Sequence, residues 1–388
     1  MIPRRRPVPV LYAHSSSLIG GGNKVLLSLF ENIDRSRFRP LSAVPDSGPL
    51  ERHLDDLDVP HFIAGLRPSG RSRIATLSHA AQLAIQCRMR GIQLVHANDI
   101  VTYRIASMAA ALSGAARVCH IHHPSLDAAA LAWSFQRVPR LVLTPTAFMR
   151  RQVIGCLPAP SAVRVETAWN PIDADWFRPA EQLTDLRKEL GLAPTQHHVN
   201  ITAALAPHKG HECFLRMARE VLHRLPDTMF HIVGSAQSGD ALHAERLRTL
   251  SGELGISDRV KFWGFLPDAM VRDLMRASDL FVLPTREEGF GLSVAEAQAC
   301  EVPVLTSAIE PLNEVVDAGS TGYLIEPEDF GAFAMRAIAL LESQDQRVSM
   351  GRAGRQWVVS RFSKQACAAR VEVFYDQVLS RTTPERAA

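Results

Sequence analysis

The segment Leu280–Cys300, LFVLPTREEGFGLSVAEAQAC, holds the densest set of residues able to do chemistry in the chain. An apolar strand ends at Pro284, and a polar turn runs from Thr285 to Glu288. Gly289-Phe290-Gly291 then precedes a helix expected to begin near Ser293, a residue type favoured at N-caps. Glycines before a helix N-terminus describe an anion cradle: the first-turn N–H groups lack intrahelical partners and the helix dipole is positive there. Glu288 on the loop and Glu296 about one turn into the helix offer fixed acceptors that suit sugar hydroxyls. A plain helix whose early acids complement its dipole would show the same residue types.

Three shorter stretches follow other strand candidates. Ala206-Pro207-His208-Lys209-Gly210 places a lysine, a point charge suited to phosphate, at the mouth of a helix. Without further context the reading as an ordinary exposed loop lysine is the better one. Gly20-Gly21-Gly22 lets the backbone approach a ligand and adopt φ > 0 ahead of a helix, or forms a flexible turn. It has neither the dinucleotide spacing nor a Walker lysine. Cys119-His120-Ile121-His122-His123-Pro124 puts His120 and His122 on one face of a strand, with His123 beside them. A closed metal set needs further ligands at convincing spacing, and Asp127 is the nearest acid. A hydrogen-bonding histidine at a strand end fits better, so no metal ligands are assigned.

The elements that must position these residues alternate. Strands are expected at Val10–Ala13, Leu41–Val44, Ile92–His96, Val118–Ile121, Leu141–Thr144 and Val163–Ala168. A second series reads Val199–Leu205, Met229–Val233, Val260–Phe262, Leu280–Leu283, Val302–Thr306 and Tyr323–Ile325. Helical periodicity fills the gaps, as at Lys24–Asn32, Ala75–Arg90, Glu212–Leu225 and Gln346–Ser360. Such alternation implies parallel sheets with helices on both faces. At 388 residues the chain exceeds a single core, so two doubly wound domains are expected. Pro171 and Pro179 break the pattern, giving domains 1–175 and 176–388. The amphipathic last helix, Lys364–Leu379, sits in the second domain or packs back on the first. Ligands of open α/β sheets bind at the carboxyl ends of strands, so a cleft between the two domains is the expected site.

Composition sets outer bounds. A net charge of +3 is too small to argue for nucleic acid by itself, and none is expected as a partner. The run Arg4-Arg5-Arg6 supports only weak attraction to anionic lipid, or a frayed terminus. Val8–Tyr12 is too short for a signal core, and no window of about 18 apolar residues reads as a membrane span. Six scattered cysteines without a close pair fit a reducing, cytoplasmic setting.

The segment around Glu288 resembles glycosyltransferase family 4 and its relatives, which share two glutamates separated by seven residues around an E-G-F-G core. Ala299–Val304, Glu314 and Thr321–Ile325 continue the likeness, as do Asn170-Pro171-Ile172-Asp173 with Phe177, Gly20–Gly22 and Lys209-Gly210. The resemblance implies a GT-B fold, two Rossmann-like domains facing across a cleft, and a retaining transferase using a nucleotide-diphosphate sugar. By position, Lys209 would contact the donor diphosphate, assisted by backbone groups near Gly291 and Leu292. Glu296 would bind the nucleotide ribose, and Glu288 the transferred sugar. Gly21, Gly22, Gly289 and Phe290 complete the implied donor site. His122 takes the place of the family's histidine near the reacting carbon, with His120 or His123 as alternatives. The family often has G-R-L where this chain reads Ala203-Ala204-Leu205, so an arginine on the diphosphate is missing; Arg286 is the nearest replacement in sequence. The resemblance implies no cofactor and no metal, and a glycan, glycolipid, lipid-linked or small-molecule acceptor. Peripheral contact with the inner face of a membrane and a role in cell-surface polysaccharide synthesis are compatible with it. A nucleotide-sugar epimerase of the same fold, or a non-catalytic nucleotide-sugar-binding protein, stay open as alternatives.

Overall fold

The computed structural model describes residues 6–67, 72–122, 128–158, 163–236 and 240–380. The chain forms two compact units: Met1–Pro171 with Lys364–Ala388, and Ile172–Ser363. The boundary expected after residue 175 falls earlier, because Ile172 N–H donates to Phe362 O at 2.6 Å and Arg355 reaches Ala174 O at 3.3 Å. Both ties hold residues 172–174 to the second unit.

The first unit is a sheet of β1 (Val8–Ala13), β2 (Phe38–Val44), β3 (His61–Ile63), β4 (Leu94–Ala97), β5 (Ala116–His120), β6 (Leu141–Thr144) and β7 (Arg164–Thr167). Its order is β3-β2-β1-β4-β5-β6-β7, all parallel. Strand β3 is short and half-buried at the edge, so it leaves no apolar run in the sequence. Alternation along β1 sorts the core into two layers. Leu11 and Ala13 join a cluster under helices Arg73–Met89, Ile100–Ser113, Ala128–Ser134 and Ala147–Cys156. Val10 and Tyr12 join another under helices Gly21–Asn32, Pro49–Asp56 and Lys364–Ser380. The last helix thus belongs to the first unit. Its Tyr375 is fully buried, its hydroxyl 2.6 Å from His96 Nδ1, and its Glu372 pairs with Arg37 at 2.5 Å.

The second unit is a parallel sheet of β8 (His197–Thr202), β9 (Thr228–Val233), β10 (Val260–Gly264), β11 (Leu280–Leu283), β12 (Val304–Ser307) and β13 (Gly322–Ile325), in the order β10-β9-β8-β11-β12-β13. Strands β11 and β12 are buried throughout, as expected of parallel strands covered on both faces. Each unit therefore has the Rossmann order, with a topological switch point between β1 and β4 in one and between β8 and β11 in the other. A buried ion pair, Arg187–Asp279 at 2.7 Å, ties the helix Leu183–Glu189 to the start of β11; Asp279 also accepts from His198 N–H at 2.8 Å. Among the described residues no helix is long and apolar enough to cross a membrane.

Helix Gln344–Phe362 runs close to the turn that follows helix Leu292–Ala299. A Cβ placed on Gly351 would lie 2.0 Å from Glu301 O, so only glycine fits. Gly351→Ala is expected to lower the stability of the second unit by about 1–3 kcal/mol, the usual penalty of overpacking. Urea unfolding checks this, and an unchanged midpoint would contradict the close approach.

Candidate active site

The loops after β8 and β11 flank the switch point of the second unit, and they hold Lys209 and Glu288. Lys209 ends a short 3₁₀ turn, Pro207–Lys209, and Gly210 follows in the left-handed conformation, φ 78°, before helix His211–Arg224. A Cβ on Gly210 would lie 1.8 Å from Pro284 O, so at this point the two loops meet backbone to backbone. Thr285 N-terminal to the turn seals the contact: its hydroxyl lies 3.0 Å from His208 O, and Arg286 N–H donates to the same carbonyl at 2.7 Å. Lys209 Nζ then donates to Glu288 Oε2 at 2.9 Å, with 18% and 16% of the two side chains exposed. Glu288 Oε1 accepts Gly289 N–H at 3.0 Å, which fixes the carboxylate from its own backbone.

Downstream, Gly291 rather than Ser293 caps the helix, which runs Leu292–Ala299. Gly291 has φ 95°, a conformation glycine adopts without penalty, and no side chain caps the first turn. The N–H groups of Leu292 and Ser293 are therefore not consumed by a side-chain cap. A Cβ on Gly291 would meet Leu312 Cδ2 at 2.5 Å, a second reason for glycine. Phe290 is buried edge-on against Phe362, which anchors the loop. Glu296 lies part-buried on the helix, in its second turn. Arg286 sits at the rim of the loop pair, its guanidinium 2.9 Å from Pro207 O and 3.0 Å from the exposed Glu328.

The first unit has its own switch-point pocket, of about 450 Å³, lined among others by Ser16, Gly20, Gly22, Asn98, Asp99 and His122. Of the glycine triplet, Gly21 opens helix Gly21–Asn32 and Gly20 is its extended N-cap, φ −100°. None of the three has the positive φ expected, because the helix starts inside the triplet. Only Gly22 is sterically required: a Cβ there would lie 2.9 Å from His122 Cδ2.

His122 is oriented by two asparagines. Asn23 Nδ2 donates to the carbonyls of Ser16 and Leu18, both at 2.8 Å, so its Oδ1 must be the acceptor for His14 Nδ1–H (2.9 Å) and Asn98 Nδ2 (3.1 Å). Asn98 Oδ1 then faces His122 Nε2 at 2.7 Å and accepts its proton. His122 is thereby held as the Nε2–H tautomer, with the lone pair on Nδ1. Burial lowers its pKa to about 4, and that of His14 likewise to about 4. His120 stacks 4.0 Å from His122 but is itself buried, its ring nitrogens have no hydrogen-bond partner among the described residues, and it lines a separate cavity with Leu26, Trp169 and Ala368 rather than this pocket. His123 and Asp127 lie outside the described residues, as do Arg4 and Arg5. Among the described residues no three His, Cys, Asp or Glu side chains gather into a metal-ligand set. Sequence reasoning missed Asn23, Asn98 and Asp99; the signal was the pair Asn98-Asp99 directly after an apolar strand, where a switch-point loop begins.

Two outcomes follow from this histidine chemistry. His14, His96, His122, His211 and His231 all have pKa values lowered by burial, to about 4, 3, 4, 3 and 3. An unfolded chain takes up these protons near 6.5, so it binds more protons than the folded one between about pH 6.5 and 4. Stability present above pH 6.5 should be lost as pH falls through that window, by up to about 1.4 kcal/mol per pH unit per group. Urea midpoints at pH 7, 6 and 5 check it; a flat profile contradicts it. Asn98→Asp should place a carboxylate on His122 Nε2–H and raise the pKa, whereas Asn98→Leu should leave that proton without its acceptor. ¹⁵N shifts of the His122 ring read both, and an Nδ1–H tautomer in the unaltered chain would overturn the assignment.

Comparison with known proteins bears on the two units separately. The model "Glycosyltransferase Family 4" matches residues 19–176, and "Glycosyl transferases group 1" matches residues 183–357. A D-inositol 3-phosphate glycosyltransferase of Segniliparus rotundus is 32% identical over 197 residues, 51% of this chain and 43% of that protein. One from Corynebacterium jeikeium is 31% identical over 53% of this chain and 50% of its own length. The chain thus spans about half the length of the curated relatives it matches. In fold, it is similar to Anabaena HepE crystallised with UDP (TM-score 0.80, 20% identity, 95% of this chain and 100% of that one). It is also similar to a sucrose-phosphate synthase of Thermosynechococcus elongatus (TM-score 0.72, 19% identity, 96% and 100%). With both matched segments accounting for most of its length and both sheets in the Rossmann order, the chain belongs to the family 4, group 1 glycosyltransferases of GT-B fold.

Proposed function

We propose that the protein is a retaining hexosyltransferase that draws on a nucleotide-diphosphate sugar. The observation that carries this reading is the joining of Lys209 and Glu288, 79 residues apart, at one switch point beside an uncapped helix N-terminus. A diphosphate needs a cation and N–H donors, and Lys209 with Leu292 and Ser293 provide them. A sugar needs fixed acceptors, and Glu288 is one whose second oxygen is already held by Gly289 N–H. Glu296 is assigned to the ribose. Arg286 takes the part of the arginine missing at Ala204, by leaving the exposed Glu328 for the diphosphate. Support for a nucleotide donor also comes from Anabaena HepE, a protein of like fold solved with UDP-glucose.

In the reaction the anomeric C–O bond to the phosphate breaks and a new one forms to the acceptor hydroxyl. The hydroxyl proton passes to the departing phosphate oxygen on the same face, so configuration is retained. Lys209 and the oriented N–H groups stabilise charge as it develops on that oxygen, which leaves no role for a divalent metal. His122, neutral and fixed as the Nε2–H tautomer, is assigned to the transferred sugar. The acceptor is a glycan, glycolipid or small molecule, and a lipid-linked acceptor of cell-surface polysaccharide synthesis would bring the protein peripherally to the inner face of a membrane. A donor-binding protein without catalysis is the second reading, favoured by Ala204 alone.

A thermal-shift panel of UDP-, GDP-, ADP- and dTDP-sugars, with and without Mg²⁺, tests the donor site. A ligand at about 100 times its Kd should stabilise by about 2.7 kcal/mol. The shift should come from one nucleotide class, be indifferent to Mg²⁺ and vanish in Glu296→Ala; no shift from any class contradicts the reading. In turnover, Lys209→Ala should lower kcat by about 10²–10³-fold, the usual cost of removing one charge-stabilising donor. A product of inverted configuration would contradict retention, and binding without transfer to any acceptor would select the second reading.

A further inference from the structure

The charge of the chain is distributed unevenly in a way that its net value of +3 conceals. Residues 67–165 contain twelve arginines and no lysine, against two aspartates and no glutamate. That stretch carries +10, leaving 31 basic against 38 acidic residues, −7, elsewhere. Five of these arginines, Arg73, Arg88, Arg104, Arg150 and Arg151, lie on helices of one face, whereas Arg140 and Arg164 reach the last helix on the other face and Arg164 pairs with Glu166. All four helices of the stretch, Arg73–Met89, Ile100–Ser113, Ala128–Ser134 and Ala147–Cys156, cover the same face of the first unit's sheet, and not one contains an acidic residue. The opposite face is covered by helices that mix both signs, with Glu51, Asp55, Glu372 and Asp376 among them.

The outer helix of this cationic layer is also apolar toward solvent. Ile74, Leu77, Ile85 and Met89 are exposed by 81%, 56%, 55% and 75%. With Ala81, also exposed, they fall within a stripe about 120° wide on a helix that advances about 100° per residue. Arg73 and Arg88 stand exposed at its two ends. Four large apolar side chains held in water along one line are not explained by core packing, because the same helix buries Ala80, Leu83, Ala84 and Cys87 on its other side.

We propose that this helical layer is a membrane-docking face, with helix Arg73–Met89 lying in the interface of an anionic bilayer. The occupant follows from the two properties together. Arginines without acids attract a negatively charged surface and fork onto lipid phosphates. The Ile, Leu and Met stripe enters the boundary between headgroups and acyl chains, as amphipathic interfacial helices do. A nucleic acid or other soluble polyanion would match the charge but offer nothing to four exposed apolar side chains. The surface lies wholly within the first unit and does not involve Lys209, Glu288 or Glu296. It deepens the peripheral membrane contact of the proposed function, on which it rests.

Co-sedimentation of the full chain with vesicles tests the proposal. Binding to phosphatidylcholine vesicles containing 30% phosphatidylglycerol should exceed binding to pure phosphatidylcholine by at least tenfold, and should fall severalfold as NaCl is raised from 0.1 to 0.5 M. Ile74→Ser/Leu77→Ser/Met89→Ser should lose binding at low salt, and Arg73→Glu/Arg88→Glu should lose its preference for anionic lipid. Both variants should keep the thermal shift given by the nucleotide-sugar, which separates loss of docking from loss of the donor site. Equal binding to both vesicle types, absence of binding, or retention of binding in the apolar triple variant would each overturn the proposal, as would tighter capture by heparin than by anionic vesicles. Should a variant fail to fold, the lipid and salt dependence of the unaltered chain decides.

Discussion

Everything at the candidate donor site depends on one backbone contact. The Pro284 carbonyl stands where a side chain at Gly210 would have to be, 1.8 Å from a Cβ, so the loops after β8 and β11 can meet only if residue 210 is glycine. That contact lets a lysine on one loop reach a glutamate on the other at 2.9 Å. It also sets two helix N-termini, those of His211–Arg224 and Leu292–Ala299, at one switch point. The ion pair is then a consequence of fold rather than a source of stability: partly exposed pairs contribute little by themselves. Its meaning is chemical. A cation and a carboxylate that the proposed function assigns to different parts of one ligand are held against each other.

The two units solve the same problem with different chemistry. Both have the Rossmann strand order, and in both the polar residues gather in the loops beside the first and fourth strands of that order. In the second unit those loops carry charge, through Lys209, Arg286 and Glu288. In the first they carry a neutral amide–imidazole relay, His14–Asn23–Asn98–His122, in which each proton position follows from the carbonyls of Ser16 and Leu18. A neutral ring with a fixed tautomer suits hydrogen bonding to a polar, uncharged group; a lysine suits a phosphate.

Much of this was legible in the sequence. Strands such as Leu280–Leu283 and Leu141–Thr144 are short apolar runs bounded by turn residues, and the structure has them with the same limits. Lys209 and Glu288 could be singled out because each follows such a strand and precedes a helix. Other features were hidden for physical reasons. Strand β3 is an edge strand too short and too exposed to show a pattern. The helix cap at Gly291 could not be told from one at Ser293, since both residue types serve. The asparagines that orient His122 act through side-chain geometry across 75 residues, which no local spacing records. The return of the last helix to the first unit depends on buried contacts of Tyr375 with β1, β2 and β4 and on the pairing of Glu372 with Arg37 just before β2, made long after those strands in the chain.

Hydrogen exchange across the whole chain, with and without saturating UDP or GDP, reads where a nucleoside diphosphate is held without assuming an acceptor. Exchange should slow in peptides covering residues 203–211 and 284–297, where the two loops and the uncapped helix start supply backbone donors. Protection confined to other segments, or none in these two while the nucleotide demonstrably binds, would contradict a donor site there.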